Sequence, residues 1–350
     1  MALREKNTAE SALFKSMSFG AFFKIIKLPD GTAGGKERMT PRAAPYQIEK
    51  EGCGTQRKDG PIMLSDCHVH MLLDGDYYKT AIDRHRSAPD EDFIRGTLEA
   101  YRRMGYGYLR DGGDRWGAGA RARELAGEYG IEYRSPLFPI YQKGHYGGFI
   151  GRGFETMAEY RALVQEVRRG GGDFIKLMIS GLMDFSRFGV LSEPGLAPET
   201  IREMVHIAHE EGFAVMAHAN GAETVTAAAE AGVDSVEHGA YLTEESLRAM
   251  AEAGTVWVPT LATIGCLLGD GRYPEREVRE ILASARENVR RFAALGGALA
   301  PGSDAGAYRV YHGKGGLEER ALLKEALGAE TEKRLDRGTE EIRRRFHRKI

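Results

Sequence analysis

Two histidines one residue apart, His68 and His70, close the stretch Asp66-Cys67-His68-Val69-His70, which follows the apolar run Ile62-Met63-Leu64. Side chains alternate in extended backbone, so both imidazoles project to the same side. Such a pair is half of a metal site, although alone it is equally two ordinary histidines at a strand end. It does not stand alone. Lys176 lies within Phe174–Ile179, His218 follows Val215-Met216-Ala217, His238 follows Ser235-Val236-Glu237, and Asp304 follows Pro301-Gly302-Ser303. Imidazole and carboxylate suit zinc and similar divalent ions. Lysine is the odd member, because an ammonium repels a cation. Desolvation in an apolar strand favours its neutral amine, and a neutral amine adds carbon dioxide to become a carbamate, an anionic bridging ligand. The competing reading is a buried ammonium paired with Asp304.

These residues must be positioned by the elements around them. Short apolar runs predict strands at 62–66, 107–111, 137–141, 174–179, 214–217, 235–238, 256–259 and 298–302. Longer amphipathic stretches predict helices at 92–104, 118–129, 155–169, 198–211, 222–231, 244–253, 275–295 and 317–327, many closed by glycine as helix ends prefer (Gly130, Gly170, Gly212, Gly232, Gly254, Gly296). Eight strands alternating with helices predict an α/β fold of the (β/α)8 TIM-barrel type. A doubly wound sheet would stop at five or six. Catalytic groups of such barrels sit at the C-terminal strand ends, so the histidines, Lys176 and Asp304 would meet at one mouth.

The rest of the composition sets bounds. The chain has 350 residues, 42% apolar and 29% charged, with net charge -2. This balance gives no reason to expect nucleic acid or a membrane surface as a partner. Three cysteines without paired spacing, Cys53, Cys67 and Cys266, and no apolar leader segment point to a cytoplasmic protein. Residues 1–61 carry eleven Lys/Arg and seven Asp/Glu, leave the remainder at net -6, and lack apolar periodicity. They read as a poorly ordered, irregular N-terminal extension. Residues 62–330 form the barrel domain, and 331–350 a charged C-terminal helix or tail.

In order and type, His68, His70, Lys176, His218, His238 and Asp304 resemble the amidohydrolase superfamily, whose pattern is His-X-His after strand one, a carboxylated Lys after strand four, His after strands five and six, and Asp after strand eight. His218-Ala219-Asn220-Gly221 followed by Val236-Glu237-His238-Gly239 is most similar to the imidazolonepropionase and metal-dependent prolidase-like branch. The resemblance implies two divalent ions, zinc foremost, bridged by a carbamate on Lys176. It implies a metal-bridging hydroxide that attacks an amide-type C–N bond in a cyclic amide, an N-acyl amino acid or a dipeptide. Asp304 would be both a metal ligand and the catalytic acid–base. The branch usually carries a β-sandwich built from both chain ends. Here the head is too irregular and the tail too short for one, so that subdomain is expected to be absent or vestigial.

Other residues are candidates for substrate contact: His145 and Tyr146 in the loop after strand three, Tyr241 after strand six and His312 after strand eight. Asp111, at the end of strand two, could orient a ligand. Asp66 and Glu237 neighbour ligands in sequence and, by strand alternation, face away as structural residues. His85, His206, His209 and His347 read as structural or exposed. The expected partner is a small-molecule substrate, and a homo-oligomer is left open. On the same site, a lactonase or organophosphate esterase is the nearest alternative. A mononuclear deaminase fits less well, because that subgroup lacks the strand-four Lys. A non-catalytic scaffold would have lost ligands that are all present.

Overall fold

The computed structural model describes residues 63–347; the readings of 1–61 as an irregular extension, and of the sandwich it would share, lie outside the described residues. The strands are β1 (Leu64–Val69), β2 (Tyr106–Asp111), β3 (Glu132–Arg134), β4 (Pro139–Gln142), β5 (Arg152–Phe154), β6 (Ile175–Met178), β7 (Val215–Ala219), β8 (Ser235–His238) and β9 (Val256–Val258). The helices are α1 (Tyr78–His85), α2 (Glu91–Arg103), α3 (Ala118–Leu125), α4 (Met157–Arg169), α5 (Pro198–Glu210), α6 (Ala222–Glu230), α7 (Glu244–Ala253), α8 (Ala262–Gly265), α9 (Glu275–Ala294), α10 (Lys314–Leu327) and α11 (Thr331–Arg345).

All ladders between these strands are parallel, in a three-stranded sheet β1-β2-β3 and a six-stranded sheet β5-β4-β6-β7-β8-β9. Helices separate most successive strands, as parallel pairing requires. The expected strand at 298–302 forms bridges rather than a ladder. Leu299 pairs with Trp257 of β9 and Ala305 with Val69 of β1, while Cys67 N–H donates to Pro301 O at 2.8 Å and Asp304 N–H to His68 O at 2.7 Å. Pro301 has no N–H to donate, and a Cβ on Gly302 would lie 2.4 Å from Val258 Cγ1, so a regular strand is interrupted here. The expected strand at 137–141 is shifted to 139–142 and preceded by β3, because Leu137 adopts φ 68° and kinks the chain. Helix α1 and strand β5 were not legible in the sequence.

Helix starts follow local chemistry. Asp90 accepts from Phe93 N–H at the start of α2, Thr156 from Glu159 N–H at α4, and Thr243 and Ser246 form a capping box on α7. The charged tail folds as α11. Its Leu335, Gly338 and Ile342, with Phe346 just beyond, fall on one helical face and are buried. No helix among the described residues is long and apolar enough to cross a membrane.

Candidate metal centre

At β1 the two histidines meet as alternation predicts: His68 Nε2 lies 3.4 Å from His70 Nε2. Asp304 Oδ1 is 3.5 Å from His68 Nε2 and 3.3 Å from His70 Nε2. These three side chains offer ligand atoms all within 4.8 Å of one another. The His238 ring centroid is 5.1 Å from that of His68 and 4.6 Å from that of His218. Lys176, on β6, is buried with its Nζ lacking a hydrogen-bond partner among the described residues. The β6–β7 and β7–β8 registers align Met178 with His218 and Ala219 with His238, which brings these residues to one end of the sheet.

His218 and His238 each have one nitrogen hydrogen-bonded, and His68 has one close to a carboxylate, which leaves the other nitrogen of each ring available. His218 Nε2–H donates to Gly181 O at 3.1 Å, His238 Nδ1 is 2.8 Å from Thr260 Oγ1, and His68 Nδ1 is 2.8 Å from Glu237 Oε2. Partners of this kind orient a ligand ring and select its tautomer. Burial, and after it the charge of Lys176, pushes His70 and His218 down to about 3. His68 and His238 are lowered well below the usual histidine value, again chiefly by burial. All four are therefore neutral, the form that ligates. Burial also lowers Lys176 and raises Asp304.

Asp66 and Glu237 do not behave alike. Asp66 accepts from Ser303 N–H at 2.8 Å and Ser303 Oγ at 2.6 Å, pinning the segment that carries Asp304. Glu237, set aside by the alternation rule, reaches His68 directly. The rule fails because His238 has φ 68° and turns out of the strand pattern, so Glu237 and its neighbour both serve the site. Asp111 accepts from Met71 and Gly113 N–H, at 3.1 Å each, and orders the turns beside His70 instead of touching a ligand ring.

The expected substrate contacts separate. Tyr146 packs its ring 5.1 Å from that of His218, and its N–H donates to Glu193 Oε1 at 2.6 Å. His145 Nδ1 is 3.6 Å from the same carboxylate. Tyr241 lines a small cavity with His238 and packs against Phe188 of a hairpin bridged at Met183 and Leu191. His312 is different: Nε2–H donates to Leu73 O at 2.8 Å and Nδ1 accepts from Tyr101 at 3.2 Å, so both ring nitrogens are spent within the fold. Thr260, Asn220 and Glu193 were missed. Asn220 binds Gly181 O and Ala240 N–H, at 3.0 Å each, stitching the exits of β6, β7 and β8; its place in His218-Ala219-Asn220 was the available signal.

The chain thus folds as a parallel α/β protein in which His68, His70 and Asp304 converge at strand exits while Lys176 is buried within β6. The chain matches the amidohydrolase family over residues 122–310, more than half its length, and belongs to that family. It is 29% identical over 252 residues to ochratoxinase of Aspergillus niger, covering 61% of this chain and 50% of that protein. It is 31% identical over 180 residues to an uncharacterised protein of Mycobacterium tuberculosis (strain ATCC 25618 / H37Rv), covering 48% and 47%. The chain thus spans about half the length of the curated relatives it matches. Among solved structures, the A. niger ochratoxinase superposes with TM-score 0.67 at 20% identity, covering 79% of this chain and 70% of that one. A Xaa-Pro dipeptidase with bound methionine does so with TM-score 0.63 at 23% identity, covering 80% and 74%.

Proposed function

We propose that this chain is a metal-dependent hydrolase of an amide-type C–N bond in a small molecule: a cyclic amide, an N-acyl amino acid or a dipeptide. The observation that carries this reading is the convergence of His68, His70 and Asp304 ligand atoms within 4.8 Å. Family membership and the resemblance to a protein named as a Xaa-Pro dipeptidase support it. We read the two sheets, joined through 299–305, as one (β/α)8 barrel of residues 63–330 with α11 (Thr331–Arg345) as its closing helix.

The donor set fits a pair of divalent ions, zinc foremost. Neutral buried imidazoles and a carboxylate are the right ligands, and a buried Lys176 Nζ without a partner is the atom that a carbamate would complete. His68, His70, Lys176, His218, His238 and Asp304 would hold the metals. When bound, the pair supplies Lewis acidity toward the carbonyl and lowers the pKa of water. Asp304 Oδ1, between the His68 and His70 imidazoles, takes the proton of the attacking water and returns it to the leaving nitrogen. Tyr146 and Tyr241 flank the mouth from the loops after β4 and β8 and orient the substrate.

Metal analysis of the purified chain, with hydrolysis assays on N-acyl amino acids, dipeptides, hydantoins, lactones and phosphotriesters, tests the proposal. Metal-dependent turnover of an amide is the expected result. A chain that binds no divalent ion, or that turns over only the esters, would refute it.

A further inference from the structure

Beneath the mouth, the His68 ring is backed by a buried charged assembly that the proposed chemistry does not use. Arg110, on β2, is fully buried. Its Nε–H donates to Cys67 O at 2.7 Å, Nη1 to Ser235 Oγ at 2.9 Å and Nη2 to Glu237 Oε1 at 2.8 Å. Ser235 Oγ donates to the same Glu237 oxygen at 2.5 Å. The guanidinium lies 4.4 Å from the centroid of the Phe346 ring and 6.0 Å from that of Phe174. One carboxylate oxygen of Glu237 is therefore held by two donors, while the other, Oε2, faces His68 Nδ1 at 2.8 Å.

That last contact is short, yet neither atom makes a hydrogen bond of good geometry. Distance decides its meaning. Both side chains are wholly shielded from solvent, so the carboxylate acts on the ring nitrogen electrostatically with little screening. A buried ion pair is seldom more stabilising than apolar side chains of the same volume. Stability is thus a poor reason for this one to exist. Its geometry offers a better one, because a carboxylate at Nδ1 keeps the imidazole proton there and turns the Nε2 lone pair outward. Nε2 is the atom that meets His70 and Asp304.

We propose that Arg110 and Glu237 are positioning residues that fix His68 in its Nδ1-protonated tautomer and so present Nε2 to the metal. Arg110 holds the carboxylate, and Phe346, just beyond α11, backs the guanidinium. The pair is neither a ligand nor a catalytic group. This inference rests on the metal-site reading above.

The test is Glu237→Gln, which keeps size and an oxygen for Arg110 but removes the carboxylate opposite Nδ1. Zinc affinity is measured by competition with a chromophoric chelator on wild type and variant. The urea midpoint of each metal-free protein is measured alongside, as is the ¹⁵N-imidazole NMR signal assigned to His68. Zinc binding should weaken about 10–100-fold with little change in the metal-free midpoint, and the His68 signal should lose its Nδ1-protonated signature. Unchanged affinity with an unchanged tautomer overturns the proposal while leaving the metal site intact. Wild type that binds no zinc overturns both. Should Glu237→Gln fail to fold, Ser235→Ala, which removes one of the two donors to Glu237 Oε1, must weaken zinc severalfold, and wild-type affinity in that variant overturns the proposal.

Discussion

Asp304→Asn isolates the chemistry from the architecture. Asp304 Oδ1 lies 3.3 Å from His70 Nε2 and 3.5 Å from His68 Nε2, with its side chain 15% exposed, so the residue is both walled in and open to the mouth. Asparagine keeps the shape and one ligating oxygen but has no basic carboxylate. Four histidines and Lys176 remain as donors, so bound metal should fall only modestly. General acid–base assistance is worth roughly 10²–10⁴-fold. At about 1.36 kcal/mol per decade this is about 3–5 kcal/mol of barrier, and kcat should drop by that factor. KM should change little, because the substrate is held by other groups. Bound metal, kcat and KM are measured on one preparation with the amide found active in the panel. Near-normal turnover would refute the assignment, since another group would then be moving the proton. Loss of all metal together with activity would show only that Asp304 is a ligand.

Two further outcomes follow from buried groups. Lys176→Ala should lower metal content and remove most activity, with partial recovery on adding a short carboxylic acid that fills the vacated position; a variant with wild-type metal and turnover would make Lys176 a core residue. Glu319 is wholly buried on α10, its Oε2 accepting from Ala262 N–H at 2.7 Å while Oε1 has no partner among the described residues, and burial raises its pKa well above the usual carboxylate value. The folded state therefore holds this proton more tightly than the unfolded chain, so stability is greatest at low pH and is lost as pH rises above about 4.3, the unfolded value. Glu319→Gln should remove that loss: urea midpoints of variant and wild type should nearly coincide at pH 4.5 and diverge in the variant's favour by pH 8, and parallel midpoints at both pH values would contradict it.

The amphipathic and apolar periods made the helices and most strands legible, since a stretch such as Phe174–Ile179 can only be buried strand. The candidate site residues could be picked out because His, Lys and Asp recur within or just after apolar runs, and the structure brings three of them, His68, His70 and Asp304, together. What escaped had no local signature. Helix α1 carries mixed charge with only Ala81, Ile82 and His85 buried, and its place depends on packing against distant loops. Arg110 lies in the expected strand 107–111 beside Asp111 with nothing nearby to mark its role, yet it is satisfied by Cys67, Ser235 and Glu237, partners far along the chain. His312 sits where a contact residue should, but Tyr101 and Leu73, which consume its nitrogens, are more than two hundred positions away. Long-range satisfaction of polar groups cannot be read from periodicity.

The strand-alternation rule broke where backbone strain is stored, and the strain can be tested. Among the described residues six non-glycine residues have positive φ, and His238, Tyr241, Thr260 and Asp304 are four of them, all at the exits of β8, β9 and the 299–305 segment. Left-handed backbone costs an L-residue roughly 1–2 kcal/mol, and such strain persists only where the surroundings enforce it. At His238 the enforcement is visible. Trp257 Nε1–H donates to His238 O at 3.0 Å, Thr260 holds Nδ1, and the Trp257 ring packs edge-on to Phe292. Trp257→Phe keeps most of the apolar volume and deletes the indole donor. The lost hydrogen bond and residual space should cost about 1–2 kcal/mol of stability. The released His238 carbonyl lets its backbone relax, moving the ring from its ligating pose. His68, His70 and Asp304 are untouched, so one zinc should bind as before and the other about tenfold more weakly, a difference of about 1.4 kcal/mol. Stoichiometric zinc titration with a competing chelator distinguishes the two events. Equal weakening of both ions would mean that the indole supports the sheet as a whole. Wild-type affinity for both would show that Trp257 has no part in holding His238 in its strained conformation.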